Sequence, residues 1–348
     1  MIDATRATTK VALLGLGWVW SFFTASIAFA VCGGDPRSIL QGPPARLSET
    51  GIFEELHQLK SCPHVVEYFV NSPLWSDGAE KRRWIILPVG GKIQFHEQEP
   101  WVFPIGTILV KQFELPRTPL ASVRVETRFL IHKQQGEWVG FTYRWNEDQR
   151  DATLLSDSVD QVYQTPRPQR WTFPSPAMCL QCHQSGAGFV LGVRSEQLNR
   201  TVPGSTENQL ERWSRAGFFS NKIPYIAELK RYVTMRDGAV PLEARVRSYL
   251  AVNCAHCHQP GSSVRSEVDF RFSTPLISTH TVNAPANLGD MDLDDPLIIK
   301  AGDKTSSVLW LRMQSPTTRH MPFIGSNVPD QSAIDEVGHW IDQMAPSQ

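Results

Sequence analysis

ASVRVETRFLIH, residues 121–132, decides how the first half of the chain folds. Val123, Val125, Thr127, Phe129 and Ile131 alternate with Arg124, Glu126 and Arg128, the period of two expected of a half-buried antiparallel strand. On either side, TILVKQF (107–113) and WVGFTYRW (138–145) are rich in β-formers, and GlyGly at 90–91, PheProIleGly at 103–106 and AsnGluAsp at 146–148 supply turns. These stretches predict an antiparallel β-sheet domain, which TPRPQRWTFPSP (165–176) links to CLQCH at 179–183.

A second CxxCH, CAHCH, lies at 254–258, 75 residues further on. With 6 cysteines and 10 histidines in 348 residues, chance supplies on the order of 0.003 copies of this pattern. A structural zinc site closes two CxxC pairs into one tetrahedron and leaves both histidines unexplained. A thioredoxin-like CxxC needs a βαβ setting, and neither motif has one. Covalent haem accounts for every letter, because two thiols add to the vinyl groups of one porphyrin and the following histidine reaches the iron. Cys179, Cys182 and His183 are therefore expected to hold one haem c, and Cys254, Cys257 and His258 a second. His256 reads as a neutral filler between cysteines.

The second motif sits in a helical context. PLEARVRSYLAVN (241–253) carries Leu242, Val246 and Leu250 on one stripe and runs into CAHCH. Ile334, Val337, Ile341 and Met344 form a matching stripe behind a cap at Asp330 or Ser332, and a third helix is expected over 304–314, capped by Asp303 or Ser306. Met321, followed by Pro322 and 63 residues after His258, is the expected sixth ligand of the second iron, with His320 as its rival. For the first haem the candidates are His64, His96, His132 and Met235, and an open position is equally consistent. His132 falls on the polar face of its strand, which counts against it unless that face covers the haem.

The N-terminus reads as an export signal: Arg6 and Lys10, an apolar run at 11–23, and Ala28-Phe29-Ala30, with cleavage expected after Ala30. The alternatives are an uncleaved anchor over 11–31 and lipidation of Cys32. All three place the folded part outside the cytoplasm, periplasmic or exported, and bring in a membrane only if the segment is retained or Cys32 is acylated. An oxidising compartment allows a Cys32–Cys62 disulfide without requiring it. A net charge of −1 and the lack of any basic run give no pull towards nucleic acid. The expected fold class is α+β and multidomain. Residues 1–30 are the signal peptide, 31–70 an N-terminal extension, and 71–190 a β-rich domain ending in the first motif. A connector follows at 191–240, with one helix at 206–217, and 241–348 form an all-α cytochrome c-like domain.

NSPLWSDGAEKRRWIILPVGGKI (71–93), WVFPIGTILVKQFELP (101–116), VETRFLI, GEWVGFTYRWNEDQRDATLL (136–155), CLQCH, QLNR (197–200), RSYLAVNCAHCHQPG and RHMP resemble a family of bacterial exported di-haem c-type cytochromes, over nearly all of the mature chain. The C-terminal part is similar to small class I cytochrome c domains. The resemblance implies an electron carrier with two haems and no particular substrate; for electron transfer the expected partner is a periplasmic dehydrogenase or a terminal oxidase. Residues 80–190 are also distantly similar to β-sheet cytochromes that oxidise hydroxylamine on a c-haem bonded to a lysine. Lys111 is the nearest match, although a lysine at that strand position is expected to face solvent. Two functions follow from the residues: electron transfer, and a peroxidase or small-nitrogen oxidoreductase acting at an open first haem.

Overall fold

The computed structural model describes residues 35–346 apart from 119. The apolar run at 11–31, the cleavage site and Cys32 lie outside these residues. No helix among the described residues is long and apolar enough to cross a membrane.

Six strands form one antiparallel sheet in sequence order: β3 (Val66–Glu67), β4 (Glu80–Ile86), β5 (Ile108–Thr118), β6 (Ala121–His132), β7 (Trp138–Trp145) and β8 (Ala152–Leu155). Two hairpin-like pairs stand beside it, β1 (Phe53–Glu55) with β2 (Lys60–Ser61), and β9 (Val159–Tyr163) with β10 (Gln169–Phe173). The expected strands at 107–113, 121–132 and 138–145 are thus the three central strands, β5 to β7.

The sheet is covered on both faces. Trp84, Ile86, Val110, Phe129, Ile131 and Tyr143 point to one side and pack with Ile39, Leu47, Ile52, Leu59 and Val65, so the expected N-terminal extension belongs to the core of this domain. Ile85, Leu109, Leu130 and Trp138 point to the other side. There they pack with Ile93, Trp101 and Phe103, and with Leu198, Leu210, Trp213 and Phe219 from the expected connector. That segment holds two short helices, α2 (Ser195–Leu198) and α3 (Gln209–Arg215), where one was expected. The sheet is therefore not half-buried, as the alternation in 121–132 suggests: Glu126, on its polar side, is fully buried.

Beyond β10 the described chain contains helices, 3-10 turns and isolated bridges in long irregular segments. After α1 (Pro176–Cys182), α2 and α3 come α4 (Leu242–Asn253), α5 (Val308–Gln314) and α6 (Gln331–Asp342). α4 packs against α6 through Val246, Leu250, Ile334, Val337 and Ile341, the two apolar stripes read from the sequence. Asp330 caps α6, accepting from Ala333 N at 3.3 Å. Asp303 caps the 3-10 turn Lys304–Ser306 that leads to α5. The architecture is α+β with antiparallel sheets.

The two halves are joined by the 72–79 loop. Trp75 donates its backbone N–H to Asn253 Oδ1 at 2.7 Å, just before CAHCH, and its indole Nε1–H to Val328 O at 2.6 Å. The Asp77 carboxylate accepts from Asn327 N at 2.6 Å and Val328 N at 2.8 Å. A short piece of the β domain thus anchors both the end of α4 and the loop after Met321.

Candidate haem-binding centre

Ser175 and Pro176 start α1 in the way an N-cap and a first-turn proline do, with the Ser175 hydroxyl accepting from Met178 N at 3.3 Å. The helix lies on β7. Gly140 makes that approach feasible, since a Cβ there would stand 2.6 Å from Cys179 Cβ and 2.9 Å from its Sγ. The helix ends at Cys182, and His183 turns off it to donate from Nδ1 to the Phe189 carbonyl at 2.6 Å. That bond fixes the tautomer and leaves Nε2 as the free ligand atom. Burial lowers the His183 pKa to about 4, so the imidazole is neutral at ordinary pH.

The second motif follows α4 directly, with Cys254 N and His258 N bonded back to Leu250 O and Cys254 O, both at 2.9 Å. His258 is half-buried, packs edge-on against Phe270, and has a buried Nδ1 without a hydrogen-bond partner. Its pKa is also lowered to about 4 by burial, and burial raises the Cys254 thiol to about 12.

Each motif lines its own cavity. The second cavity measures about 670 Å³, and its walls include Cys254, Cys257, His258, Met313, Met321, Phe270, Ile298 and Ile334. The first measures about 190 Å³ and is lined by Cys179, Cys182, His183, Met178, Lys111, Arg83, Arg128 and Leu191. Trp75, His256, Pro322, Ile324 and Ser326 line both and form a common wall.

The motifs touch one another. Gln184 donates to His256 O at 3.1 Å and accepts from Ser263 N at 2.9 Å, and the backbones of Gly186 and Gly261 meet with no space for a side chain between them. The thiols of Cys182 and Cys257 lie side by side and influence each other electrostatically. Cys257 lowers the Cys182 thiol below its usual range, with His256 and His183 adding to the effect, and Cys182 raises the Cys257 thiol. His256, read from the sequence as a filler, therefore stands at the junction, with its Nδ1 buried and unpartnered.

The candidate sixth ligands separate cleanly. Met321 lines the second cavity. His320 does not: its Nδ1 and Nε2 face the carbonyls of Thr317 and Ser326, at 2.9 and 3.2 Å. Met313 is a second thioether on that wall, which no motif marked. None of His64, His96, His132 and Met235 lines the first cavity. The polar face of β6 does cover that cavity, but His132 is stacked on Trp138 at 4.4 Å with Nδ1 against Pro104 O. Met235 packs in the core of the helical half. Lys111 corrects an expectation: it faces the first cavity and not solvent, because α1 covers its side of the sheet.

The donor sets suit haem c, with paired thiols and a neutral imidazole beside apolar space, that of His183 oriented by its bond to Phe189 O. The second cavity is of the size that accepts a cofactor, about 300–1,000 Å³. The first has the donors in a smaller space, so seating a macrocycle there requires its walls to move outward. Among the described residues no group of three or more His, Cys, Asp or Glu side chains is gathered to hold a metal ion by itself. Cys62 is disulfide-bonded, and Cys32, with which the sequence allows but does not require a pairing, lies outside the described residues. Comparison of the chain with family models, curated proteins and solved structures finds no match.

Proposed function

We propose that this chain is an exported di-haem c-type cytochrome that carries electrons between a periplasmic dehydrogenase and a respiratory acceptor. The observation that carries the proposal is the meeting of the two CxxCH motifs. They are far apart in sequence, yet they share a wall and touch through Cys182–Cys257, Gln184–His256 and Gly186–Gly261. Haem supplies one-electron redox chemistry at the iron. The chain's own part is to hold the two centres side by side, to orient His183 through Phe189 O, and to present the Met321 thioether in the second cavity. A cytochrome c-like helical domain is the matching reading of α4, α5 and α6 around that cavity.

Oxidised and reduced absorption spectra of the exported protein test this. Two c-type haems are expected, and Met321→Ala should remove a weak sulfur-to-iron band in the red and lower the potential of the second haem only. An unchanged spectrum in that variant would assign the sixth position to another group, Met313 first. One observation favours the second reading, an enzyme at the first haem: the four expected sixth ligands all lie elsewhere. Rapid, stoichiometric carbon monoxide binding at the haem on Cys179 and Cys182 would decide for it.

A further inference from the structure

The register of the sheet places three cations in a row. Arg83 of β4 stands opposite Lys111 of β5, and Lys111 stands opposite Arg128 of β6, on strands about 4.8 Å apart. All three line the first cavity. Like charges directly opposite each other in a sheet are destabilising, and buried unpaired charges are more so.

Only one of the three is matched by the protein. Glu126 binds Arg128 with both oxygens, at 2.5 Å to Nε and 2.8 Å to Nη2, and also accepts from Thr142 Oγ1 and Trp171 Nε1. That carboxylate is fully used. Arg83 is only 8% exposed, and its hydrogen bond is to a neutral carbonyl, Lys81 O, at 3.3 Å. Lys111 has the Phe113 ring 5.0 Å from its ammonium. Among the described residues neither has a carboxylate within ion-pair distance. Burial, followed by Arg83, Lys81 and Arg128, holds the Lys111 pKa well below its usual value, as crowded cations require.

We propose that Arg83 and Lys111 form an oxyanion-binding site in the first cavity, taking a carboxylate or a small inorganic oxyanion beside the CLQCH motif. An arginine offers a fork of donors for two oxygens and a lysine a point charge, a pairing suited to one flat anion. The inference deepens the di-haem reading, since one source of the carboxylate is a propionate of the first porphyrin. The other source is a soluble anion.

The test uses the exported full chain, with its haem content measured on the same sample. It is titrated calorimetrically with formate and with nitrite, and the potentials of both haems are recorded for the unaltered protein, Arg83→Gln, Lys111→Gln and a control, Arg82→Gln. Arg82 is already paired with Glu67. If the anion is soluble, one saturable site appears, and each of the first two variants weakens it at least tenfold while Arg83→Lys restores part of it. If a propionate fills the site, no soluble anion binds. The first haem's potential then falls in both variants and stays put in the control, because a cation beside a haem favours its reduced form. Absence of binding together with an unmoved first potential overturns the proposal. A sample without haem refutes the di-haem reading and leaves the titration alone to decide this one: no binding there is also a refutation.

Discussion

Replacing Gly186 by alanine tests the contact between the two motifs with a single methyl group. The added Cβ would overlap the carbonyl oxygen of Gly261 and stand 2.8 Å from its carbonyl carbon and 3.0 Å from Ser262 N. All three neighbours are backbone, so no rotamer change relieves the clash, and the two loops must separate by roughly 1 Å to restore ordinary packing. Overpacking of this kind costs ~1–3 kcal/mol. The Gln184 hydrogen bonds to His256 O and from Ser263 N cross the same joint. Losing one adds ~0.5–1.5 kcal/mol, for a total of about 1.5–4.5 kcal/mol. Gly42→Ala is the control, because a Cβ at Gly42 meets nothing within 4 Å, and its effect should stay within about 0.5 kcal/mol. Urea unfolding, read as a shift in midpoint at constant slope, measures both. Gly186→Ala as stable as Gly42→Ala would refute the motif-to-motif contact, and with it the argument that the two centres are neighbours.

Gly140→Ala should destabilise by ~1–3 kcal/mol by lifting Cys179 from β7, and should reduce haem attachment at the first motif while sparing the second; peptide mapping that finds both motifs equally modified would count against the seating of α1. Lys81 gives a pH signature. Burial lowers its pKa from 10.5 to about 7, with Arg83 and Arg128 adding to this and Asp77 and Asp330 opposing it. The folded chain then binds fewer protons than the unfolded chain between those values. This part of the stability therefore rises with pH from about 7 to 10.5, and it is lost as pH falls through about 7. Lys81→Met should flatten stability across that window, and an identical slope in both proteins would contradict the burial of Lys81.

The sequence spelled out the elements whose physics is local. β6 and β7 could be placed from alternation and β-branched or aromatic content. α4 and α6 followed from two apolar stripes, with Asp330 marking the start of α6. Alternation says which residues share a face, but not what will cover that face. Glu126 and Lys111 were for this reason expected in water, whereas α1 and Trp171 of β10 close over them. Leu210 and Trp213 share the face of one short helix, but Leu198 and Phe219 lie outside it with no period to link them, so a segment that fills one face of the sheet read as a connector. The same limit applied at the candidate site. Each CxxCH is a five-residue pattern, legible by itself. The shared wall of Trp75, His256, Pro322, Ile324 and Ser326 is built from segments far apart in the chain, and only the fold brings them together.

If both motifs carry covalent haem, a pyridine haemochrome assay on the purified exported protein counts two haems per chain, and one after Cys179 and Cys182 are both replaced by alanine. A count of zero, with zinc found in the protein instead, would contradict the di-haem reading.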